Sequence, residues 1–325
     1  MARCLLFSAA FFFTGCFNSL LLTPTNSSGP LGETVIADAK TWTCRNKIAV
    51  IDIDGMILNA RSSGLLGSGE NPMAIFRERL DAAADDPHVK AVVLRINSPG
   101  GAVTASDVMY QEVVHFRRDT HKPVVACMMD VAASGAYYIA MGCDRVYAHP
   151  STVTGSIGVI MSLYNAKDLF AKLGVNSDPI KSGPNKDIGN PGREMTKEER
   201  AILQGMVDSF YGQFVHVVAE GRQMPEDQVR KLADGRVYTG VDAQKLGLVD
   251  EIGYLEDAIR DAMAEAKIKD ATIIAYDRGD GYRGSIYSTA PRIPSQINVK
   301  LDLPGLSASE GGAAFMYLWQ PGVIP

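Results

Sequence analysis

The sequence predicts an α/β protein built on a mainly parallel sheet. From about residue 46 onward, short runs rich in β-branched residues alternate with segments of helical periodicity. The first three runs are apolar almost throughout, which is typical of strands that helices cover on both faces. With 325 residues, of which 46% are hydrophobic, the chain is long enough for about two domains, or for one such domain with additions.

The predicted strands and helices follow one another in a β-then-α order, which favours parallel pairing. The predicted strands are Lys47–Ile53, Ala91–Ile96, Pro123–Met128, Arg145–Ala148 and Ala271–Tyr276. The predicted helices are Met73–Ala84, Thr104–Arg118 with Thr104 or Ser106 as its cap, a long helix from a Thr196–Glu199 capping box, a short helix from Pro225, and Leu255–Ala266.

Composition and charge exclude several classes of protein. Lysine and arginine number 32, aspartate and glutamate number 37, and no long basic run is present. Binding to the phosphate backbone of a nucleic acid is therefore not expected. The five cysteines and five histidines lack C-x-x-C and H-E-x-x-H spacings, so we expect neither a metal site nor a disulfide scaffold.

The amino-terminal segment, residues 1–22, has the pattern of an export signal. A positive residue, Arg3, precedes an apolar stretch and then small residues, which is the order found in signal peptides. Cys16 follows Thr14–Gly15 and resembles the acylated cysteine of a bacterial lipobox, with Phe13 where that motif usually has leucine. The first interpretation is thus a lipoprotein with Cys16 as its lipid attachment site.

An uncleaved membrane anchor is the second interpretation of this segment. The stretch from Cys4 to Leu22 carries no charge and approaches the ~20 residues that span a bilayer. Both interpretations attach the protein to membrane lipid and place its body on the extracytoplasmic, periplasmic side of a bacterial membrane, because the flanking positive charge precedes the apolar segment. Residues 23–45, rich in Ser, Thr, Pro and Gly, are then a linker.

Three glycine-rich segments follow predicted strands. The first, Ile96–Gly101, ends in a Pro-Gly-Gly turn; such turns are mostly only turns, but their amides can hold an oxyanion. The second, Asp130–Tyr138, places Ser134 among small residues at the start of a predicted helix, where it is either a nucleophile or a helix cap. The third is Thr154–Gly158.

A serine nucleophile needs a base, and the sequence offers a histidine and lysines. His149 lies just before Pro150 at a predicted strand end, a position more typical of a structural or exposed histidine. Lys181 and Lys186 follow the third glycine-rich segment, and spacing alone does not choose between them. A lysine can act as a base only if burial lowers its pKa by several units from about 10.4.

Five segments, in order, resemble the signal peptide peptidases of the SppA type. They are Arg95–Gly101 (RINSPGG), Asp130–Ala140 (DVAASGAYYIA), Thr154–Ile160 (TGSIGVI), Lys181–Asp187 (KSGPNKD) and Gly235–Gly253 (GRVYTGVDAQKLGLVDEIG). The resemblance implies a ClpP/crotonase-like fold of repeated β-β-α units, with a protease domain at about 46–270. Residues 271–325 lie outside it, and we expect a loosely ordered extension that docks through the aromatic cluster Phe315–Trp319.

The resemblance also implies a serine endopeptidase with a Ser/Lys dyad. Ser134 matches the family's nucleophile, and Lys186 matches its general base. Ser156 matches an accessory serine that orients the lysine amine. The backbone N–H groups of Gly101 and Gly135 match the oxyanion hole.

The implied substrates are cleaved signal peptides or other short apolar peptides, and no metal or organic cofactor is implied. The chain carries one copy of a domain that the family's long form duplicates, so we expect a closed homo-oligomeric ring. The alternatives are a crotonase-like acyl-CoA enzyme, a catalytically inactive scaffold of a membrane complex, and another membrane-bound protease with the same dyad.

Overall fold

The structure, a computed structural model, describes residues 30–60, 63–64, 67–68, 70–278 and 315–319. The predicted export signal or anchor, with Cys16, lies outside these residues, as does most of the expected carboxyl-terminal extension. Within the described ranges, every helix is too short or too polar to span a bilayer.

The described residues form an α/β fold. The strands are β1 (Gly32–Ala37), β2 (Lys47–Asp54), β3 (Ser63–Gly64), β4 (Gly67–Ser68), β5 (Val89–Ser98), β6 (Gly100–Ala102), β7 (Val124–Ala133), β8 (Arg145–Ala148), β9 (Val153–Gly155), β10 (Val237–Thr239), β11 (Glu251–Ile252), β12 (Thr272–Asp277) and β13 (Met316–Leu318). The helices are α1 (Pro72–Asp85), α2 (Val103–Thr120), α3 (Gly135–Ala140), α4 (Lys167–Lys172), α5 (Lys197–Arg222), α6 (Glu226–Leu232), α7 (Gly240–Lys245) and α8 (Leu255–Glu265).

The main sheet is mainly parallel. Its strand order is β1-β12-β2-β5-β7-β8-β11, with β9 paired to the end of β7 and β10 paired to β9. Its pairs are parallel except β1 with β12 and β9 with β10. The predicted α/β class with a mainly parallel sheet is confirmed. Two short antiparallel pairs, β3 with β4 and β6 with β13, lie outside this sheet.

Alternate residues of the central strands face two separate cores. Ile51 and Leu94 belong to the core that contains residues of α1, α2 and α5. Val50 and Val93 belong to the core that contains residues of α8. All four side chains are essentially inaccessible to water. The apolar character of β2 and β5 thus follows from burial on both faces, as in other parallel sheets.

The start of α2 differs from the prediction. The helix begins at Val103, with Ala102 at the cap position and no side-chain capping hydrogen bond, so the prediction of Thr104 or Ser106 as cap is wrong. β6 leads directly into the helix, and the Val103 N–H donates to the Phe315 carbonyl over 3.1 Å. A backbone carbonyl from the residue before β13 therefore takes the place of a side-chain cap.

Ile51→Ala in β2 is expected to lower the free energy of unfolding by about 2–5 kcal/mol, because it leaves a cavity in a closely packed core. The matched control is Ile202→Ala on α5, a residue that is 41% exposed, for which we expect a change within about 0.5 kcal/mol. Urea unfolding followed by circular dichroism measures both. If Ile51→Ala had the same free energy of unfolding as the wild type, β2 would not lie at the centre of the core.

Candidate active site

Ser134 lies at a sharp turn between β7 and α3. Its φ is 55°, in the left-handed region that a non-glycine residue enters at a cost of about 1–3 kcal/mol. Two hydrogen bonds hold the turn: the Ser134 N–H donates to the Gly155 carbonyl over 2.8 Å, and the Tyr138 N–H donates to the Ser134 carbonyl over 2.9 Å. Backbone strain of this kind clusters at functional sites, which makes Ser134 a candidate functional residue.

The hydroxyl of Ser134 is buried and, among the described residues, unpaired. The residue is 1% exposed, and its Oγ has no hydrogen-bond partner among the described residues. A buried hydroxyl without a partner costs free energy, and chemistry is one reason for a protein to keep it. The alternative interpretation of Ser134 as a cap of α3 is not supported, because its side chain makes no capping hydrogen bond.

Two glycine amides converge beside this serine. Gly101 lies in β6, and Gly135 is the first residue of α3. A Cβ added to Gly135 would lie 3.2 Å from the Gly101 nitrogen, and one added to Gly100 would lie 2.7 Å from the Gly135 nitrogen. The two backbone segments therefore approach so closely that only glycine fits at these positions. Paired backbone N–H groups beside a nucleophile are the parts from which an oxyanion hole is built.

Two buried serines that the sequence analysis did not assign to the site support this turn. Ser98 Oγ accepts a hydrogen bond from the Gly100 N–H over 3.1 Å. Ser106 Oγ donates to the Ala102 carbonyl over 3.0 Å and would collide with a Cβ on Gly135. Ser98 could have been suspected from its place before the Pro-Gly-Gly turn. The sequence suggested Ser106 only as a helix cap and gave no sign of its contact with α3, because that contact joins distant parts of the sequence.

Ser156, the predicted accessory serine, lies directly after β9. Since Gly155 accepts the hydrogen bond from Ser134, the two serines occupy neighbouring positions in the fold. Ser156 is 7% exposed, and its N–H donates to the Arg236 carbonyl over 2.8 Å. It lines a cleft of about 470 Å³ that Leu318 and residues of α5 also line. The cleft gives space for a ligand next to the buried Ser134.

The structure does not bring a candidate lysine to Ser134 within one chain. Lys186 is exposed, and the Lys181 amine forms an ion pair with Asp187 across 2.6 Å. Because Ser134 Oγ has no partner among the described residues, neither amine hydrogen-bonds it.

The segment that carries Lys186 is tied to the start of α5 by an ion-pair network. Arg193 pairs with Asp187 across 2.9 Å and also with Glu199. Glu199 accepts from the Thr196 N–H over 2.8 Å, so the capping box predicted for the long helix is confirmed. Hydrogen bonds from Arg193 hold the pKa of Asp187 well below its usual range and lower the pKa of Glu199 to about 2.

His149, the other candidate base, also does not hydrogen-bond the serine hydroxyl. Its ring packs against Tyr254 with 5.0 Å between the ring centroids. Its Nε2 is buried and has no partner among the described residues, and burial lowers its pKa. These contacts agree with a structural role. Over the same described ranges, no three His, Cys, Asp or Glu side chains converge as metal ligands would.

The chain leading to Lys186 exposes large apolar side chains. α4 buries none of its residues. The exposed side chains between residues 160 and 180 are Ile160, Leu163, Tyr164, Leu169, Leu173, Val175 and Ile180. Clustered apolar exposure of this kind marks a surface for interaction.

Comparison with known proteins agrees with a peptidase site. Residues 116–269 match the family model for Peptidase family S49. A protein of Enterococcus faecium named as a signal peptide peptidase SppA is 40% identical over 230 residues, covering 71% of this chain and 67% of the relative. Protease 4 of Salmonella typhi is 35% identical over 271 residues, covering 81% of this chain and 42% of the relative.

A third relative is the chloroplastic serine protease SPPA of Arabidopsis thaliana, 35% identical over 250 residues, covering 74% of this chain and 36% of the relative. The matches define a serine peptidase. The chain belongs to peptidase family S49 and is of the SppA type, as the five sequence segments indicate. It spans less than half the length of the longer relatives, protease 4 and the chloroplastic protease.

Glu199→Gln is expected to lower the melting temperature at neutral pH, because an amide cannot replace the carboxylate paired with Arg193. The pKa of Glu199 is about 2 in the folded protein and about 4.3 in an unfolded chain. The stabilisation is therefore complete above the unfolded pKa and is lost as pH falls towards 2. Calorimetry from pH 3 to pH 7 measures the difference between variant and wild type.

The difference in melting temperature between Glu199→Gln and the wild type should be constant above about pH 5 and shrink below about pH 4. Glu198→Gln, at an exposed neighbouring position, is the matched control and should show a smaller difference throughout. A decrease in the melting temperature of Glu199→Gln that does not depend on pH would contradict the ion pair between Glu199 and Arg193.

Proposed function

We propose that this protein is a membrane-anchored, extracytoplasmic endopeptidase with a ClpP/crotonase-like fold. Ser134 is its nucleophile and Lys186 its general base. The observation that carries the proposal is the buried Ser134 hydroxyl, which has no hydrogen-bond partner among the described residues and lies beside the amides of Gly101 and Gly135. A nucleophile, paired amide donors and an adjacent cleft are the parts that acyl transfer requires.

The reaction uses each of these parts. Neutral Lys186 removes the proton from Ser134 Oγ as the oxygen attacks a peptide carbonyl carbon. The negative charge that develops on the carbonyl oxygen is stabilised by the N–H groups of Gly101 and Gly135; loss of one such donor typically costs about 10²–10³ in rate. The lysine then passes the proton to the leaving amine, and water hydrolyses the acyl-enzyme.

The dyad is completed between two copies of the chain. In one chain Lys186 is exposed, and Ser134 Oγ is unpaired among the described residues. The serine therefore lacks a base, and the lysine lacks a buried position. A neighbouring copy that seats its Lys186 against Ser134 would remove the amine from water. Desolvation favours the neutral form of an amine, which is the form that accepts a proton.

The exposed apolar side chains between residues 160 and 180 support this assembly. They lie on the chain that leads to Lys186, so burying them against a neighbour would also carry the lysine to that neighbour. Burial of apolar surface stabilises association by roughly 25 cal/mol per Å² before entropic costs. A head-to-tail contact of this kind closes into a ring when its rotation permits, which is the homo-oligomer that the sequence predicts.

Ser156 orients the lysine in this arrangement. It lines the cleft next to the Ser134 turn, where its hydroxyl can exchange a hydrogen bond with an incoming amine. When Ser156 Oγ accepts a hydrogen bond from an N–H of the neutral amine, the amine's lone pair stays free and is held towards Ser134. Such positioning accounts for much of general-base catalysis.

The substrates are cleaved signal peptides or other short apolar peptides. The relative named signal peptide peptidase SppA supports this class. The predicted membrane attachment through residues 1–22, with Cys16 as possible lipidation site, would keep the cleft near segments that leave the bilayer. Mass spectrometry of the native amino terminus distinguishes an acylated Cys16 from an uncleaved anchor.

The serine separates this proposal from its alternatives. Paired backbone amides also suit the enolate of an acyl-CoA, but such an enzyme has no use for a strained, buried serine hydroxyl. An inactive scaffold has no need of it either. Covalent labelling of Ser134 by a fluorophosphonate, together with an absence of CoA binding, would support the peptidase; CoA binding without labelling would contradict it.

Lys186→Ala is expected to lower kcat/KM for a fluorogenic apolar peptide by about 10²–10⁴, the usual contribution of a general base. Ser134→Ala should lower kcat/KM at least as much. The matched control is Lys181→Ala, which removes a lysine five positions away that pairs with Asp187 and should leave most activity. Full activity in Lys186→Ala, or equal loss in Lys181→Ala, would contradict the assignment of the base.

Mixing the two inactive variants, Ser134→Ala and Lys186→Ala, is expected to restore activity. If a site takes its serine from one copy and its lysine from the next, random mixing makes about a quarter of sites complete. Each variant alone, taken through the same dissociation and reassembly, is the control. Failure to recover activity in oligomers shown by native mass spectrometry to be mixed would contradict a shared dyad.

A further inference from the structure

We infer that Trp42 and the basic residues around it form a docking surface for a lipid bilayer that contains anionic phospholipid. The surface, here called the Trp42 surface, consists of residues 38–46 and 267–270. The inference rests on the proposed membrane attachment and adds the face of the folded domain that lies against the membrane. Three observations carry it: the exposure of Trp42, the charge around it, and its position at the end of β1.

Trp42 lies in a tight turn and faces solvent. The residue is 94% exposed. The turn runs from Thr41 to Cys44 and is closed by a hydrogen bond of 2.9 Å from the Cys44 N–H to the Thr41 carbonyl. Tryptophan is enriched at the boundary between water and lipid, because its ring is apolar and its indole N–H is polar. The exposed indole therefore suits a membrane interface.

Asp270 holds this turn in place. Its carboxylate accepts hydrogen bonds from the N–H groups of Lys40 over 3.0 Å and of Thr41 over 2.8 Å. Its carbonyl accepts from Cys44 Sγ over 3.2 Å. These bonds lie on both sides of Trp42 in the sequence. Because the turn is already fixed, little conformational entropy is lost when the indole binds a surface.

The Trp42 surface is positively charged, although the whole chain has 32 basic and 37 acidic residues. Its carboxylates are those of Asp38 and Asp270, and its cations, all exposed, are Lys40, Arg45, Lys267 and Lys269. The net charge is four minus two, or +2. None of the four cationic side chains forms an ion pair with another described residue. Each is thus available to an anionic headgroup, which strengthens binding by about fivefold per cation.

β1 connects the Trp42 surface to the predicted anchor. It is the edge strand of the main sheet and pairs with β12 alone among the described strands. Its six residues cover about 20 Å, and its last residue leads into the Trp42 surface. Residues 23–31, between the predicted anchor and β1, span at most about 35 Å. A bilayer that holds the anchor therefore also reaches Trp42 when β1 lies along its surface.

β1 itself offers no repulsion to an anionic membrane. Its one charged residue is Glu33, whose carboxylate pairs with the Lys47 amine across 2.7 Å. Val35, halfway along the strand, is 48% exposed. The strand and the Trp42 surface together form a continuous edge that an anionic bilayer can cover.

The first test follows the fluorescence of Trp42 in the full-length protein reconstituted into vesicles. The chain has two tryptophans, so Trp319→Phe leaves Trp42 as the single one. An indole at the interface lies about 5–10 Å into the boundary between headgroups and acyl chains. We expect lipids with brominated acyl chains to quench Trp42 in vesicles that contain phosphatidylglycerol, and to quench it less in vesicles of phosphatidylcholine alone. Quenching that does not depend on lipid charge would contradict the inference.

A matched control places a tryptophan at the other end of the main sheet. Tyr254 follows shortly after β11, the strand at the opposite end of the sheet from β1, and is 53% exposed. Tyr254→Trp, combined with Trp42→Phe and Trp319→Phe, should show no quenching by brominated lipid. Equal quenching at both positions would mean that no particular face meets the membrane, and would overturn the inference.

Charge variants test the contribution of the cations. Lys40→Gln with Lys269→Gln should lower the ratio of docked to undocked Trp42 in anionic vesicles by about 25-fold, since each cation contributes about fivefold. The matched control is Lys231→Gln with Lys245→Gln, two exposed lysines on α6 and α7, which should leave the ratio unchanged. Equal losses in the two double variants would contradict a local role of charge.

Flotation of the vesicles separates this inference from the proposed attachment. If the protein floats with the vesicles but brominated lipid does not quench Trp42, the attachment stands and the inference is wrong. If Trp42 is shielded from acrylamide in water without being quenched by lipid, another copy or another protein covers it, and the inference is again wrong. Protein that does not float contradicts both, while hydrolysis of apolar peptides by the same sample would leave the proposed dyad intact.

Discussion

The close approach of β6 to the start of α3 is the constraint on which the site depends. Gly100, Gly101 and Gly135 meet there with no room for a side chain. The contact sets two backbone N–H groups beside Ser134, whose own φ of 55° is held by the fold. Ser98 and Ser106 support the contact from both sides through buried hydroxyls. Rigid, pre-oriented donors are what stabilise a developing charge at no cost of rearrangement.

The parallel sheet makes this approach possible. β5 and β7 are parallel neighbours, so the segments that come after them, β6 and the Ser134 turn, leave the sheet at the same edge. Ligand sites of open parallel sheets lie at the carboxyl ends of strands for this reason. The two apolar cores on either face of the sheet then fix the strand ends relative to one another. Packing far from the serine thereby positions the groups around it.

Local patterns predicted much of the fold, and non-local contacts account for what they missed. Continuous apolar runs predicted the central strands, and the Thr196–Glu199 box predicted the start of α5. The cap of α2 was wrong because a carbonyl from the distant residue Phe315 satisfies the Val103 amide. The sequence offered Ser134, Gly101 and Gly135 as one site through a resemblance, and the fold brings them together. Lys186 stays apart from them in the single chain, where it is exposed.

A crystal structure of the protein with a bound peptide aldehyde tests the account most directly, because the aldehyde carbon forms a tetrahedral adduct with an active serine. We expect a covalent bond to Ser134 Oγ and an adduct oxygen about 2.7–3.1 Å from the nitrogens of Gly101 and Gly135. An adduct on another residue, or an oxygen turned away from both amides, would contradict the central claim.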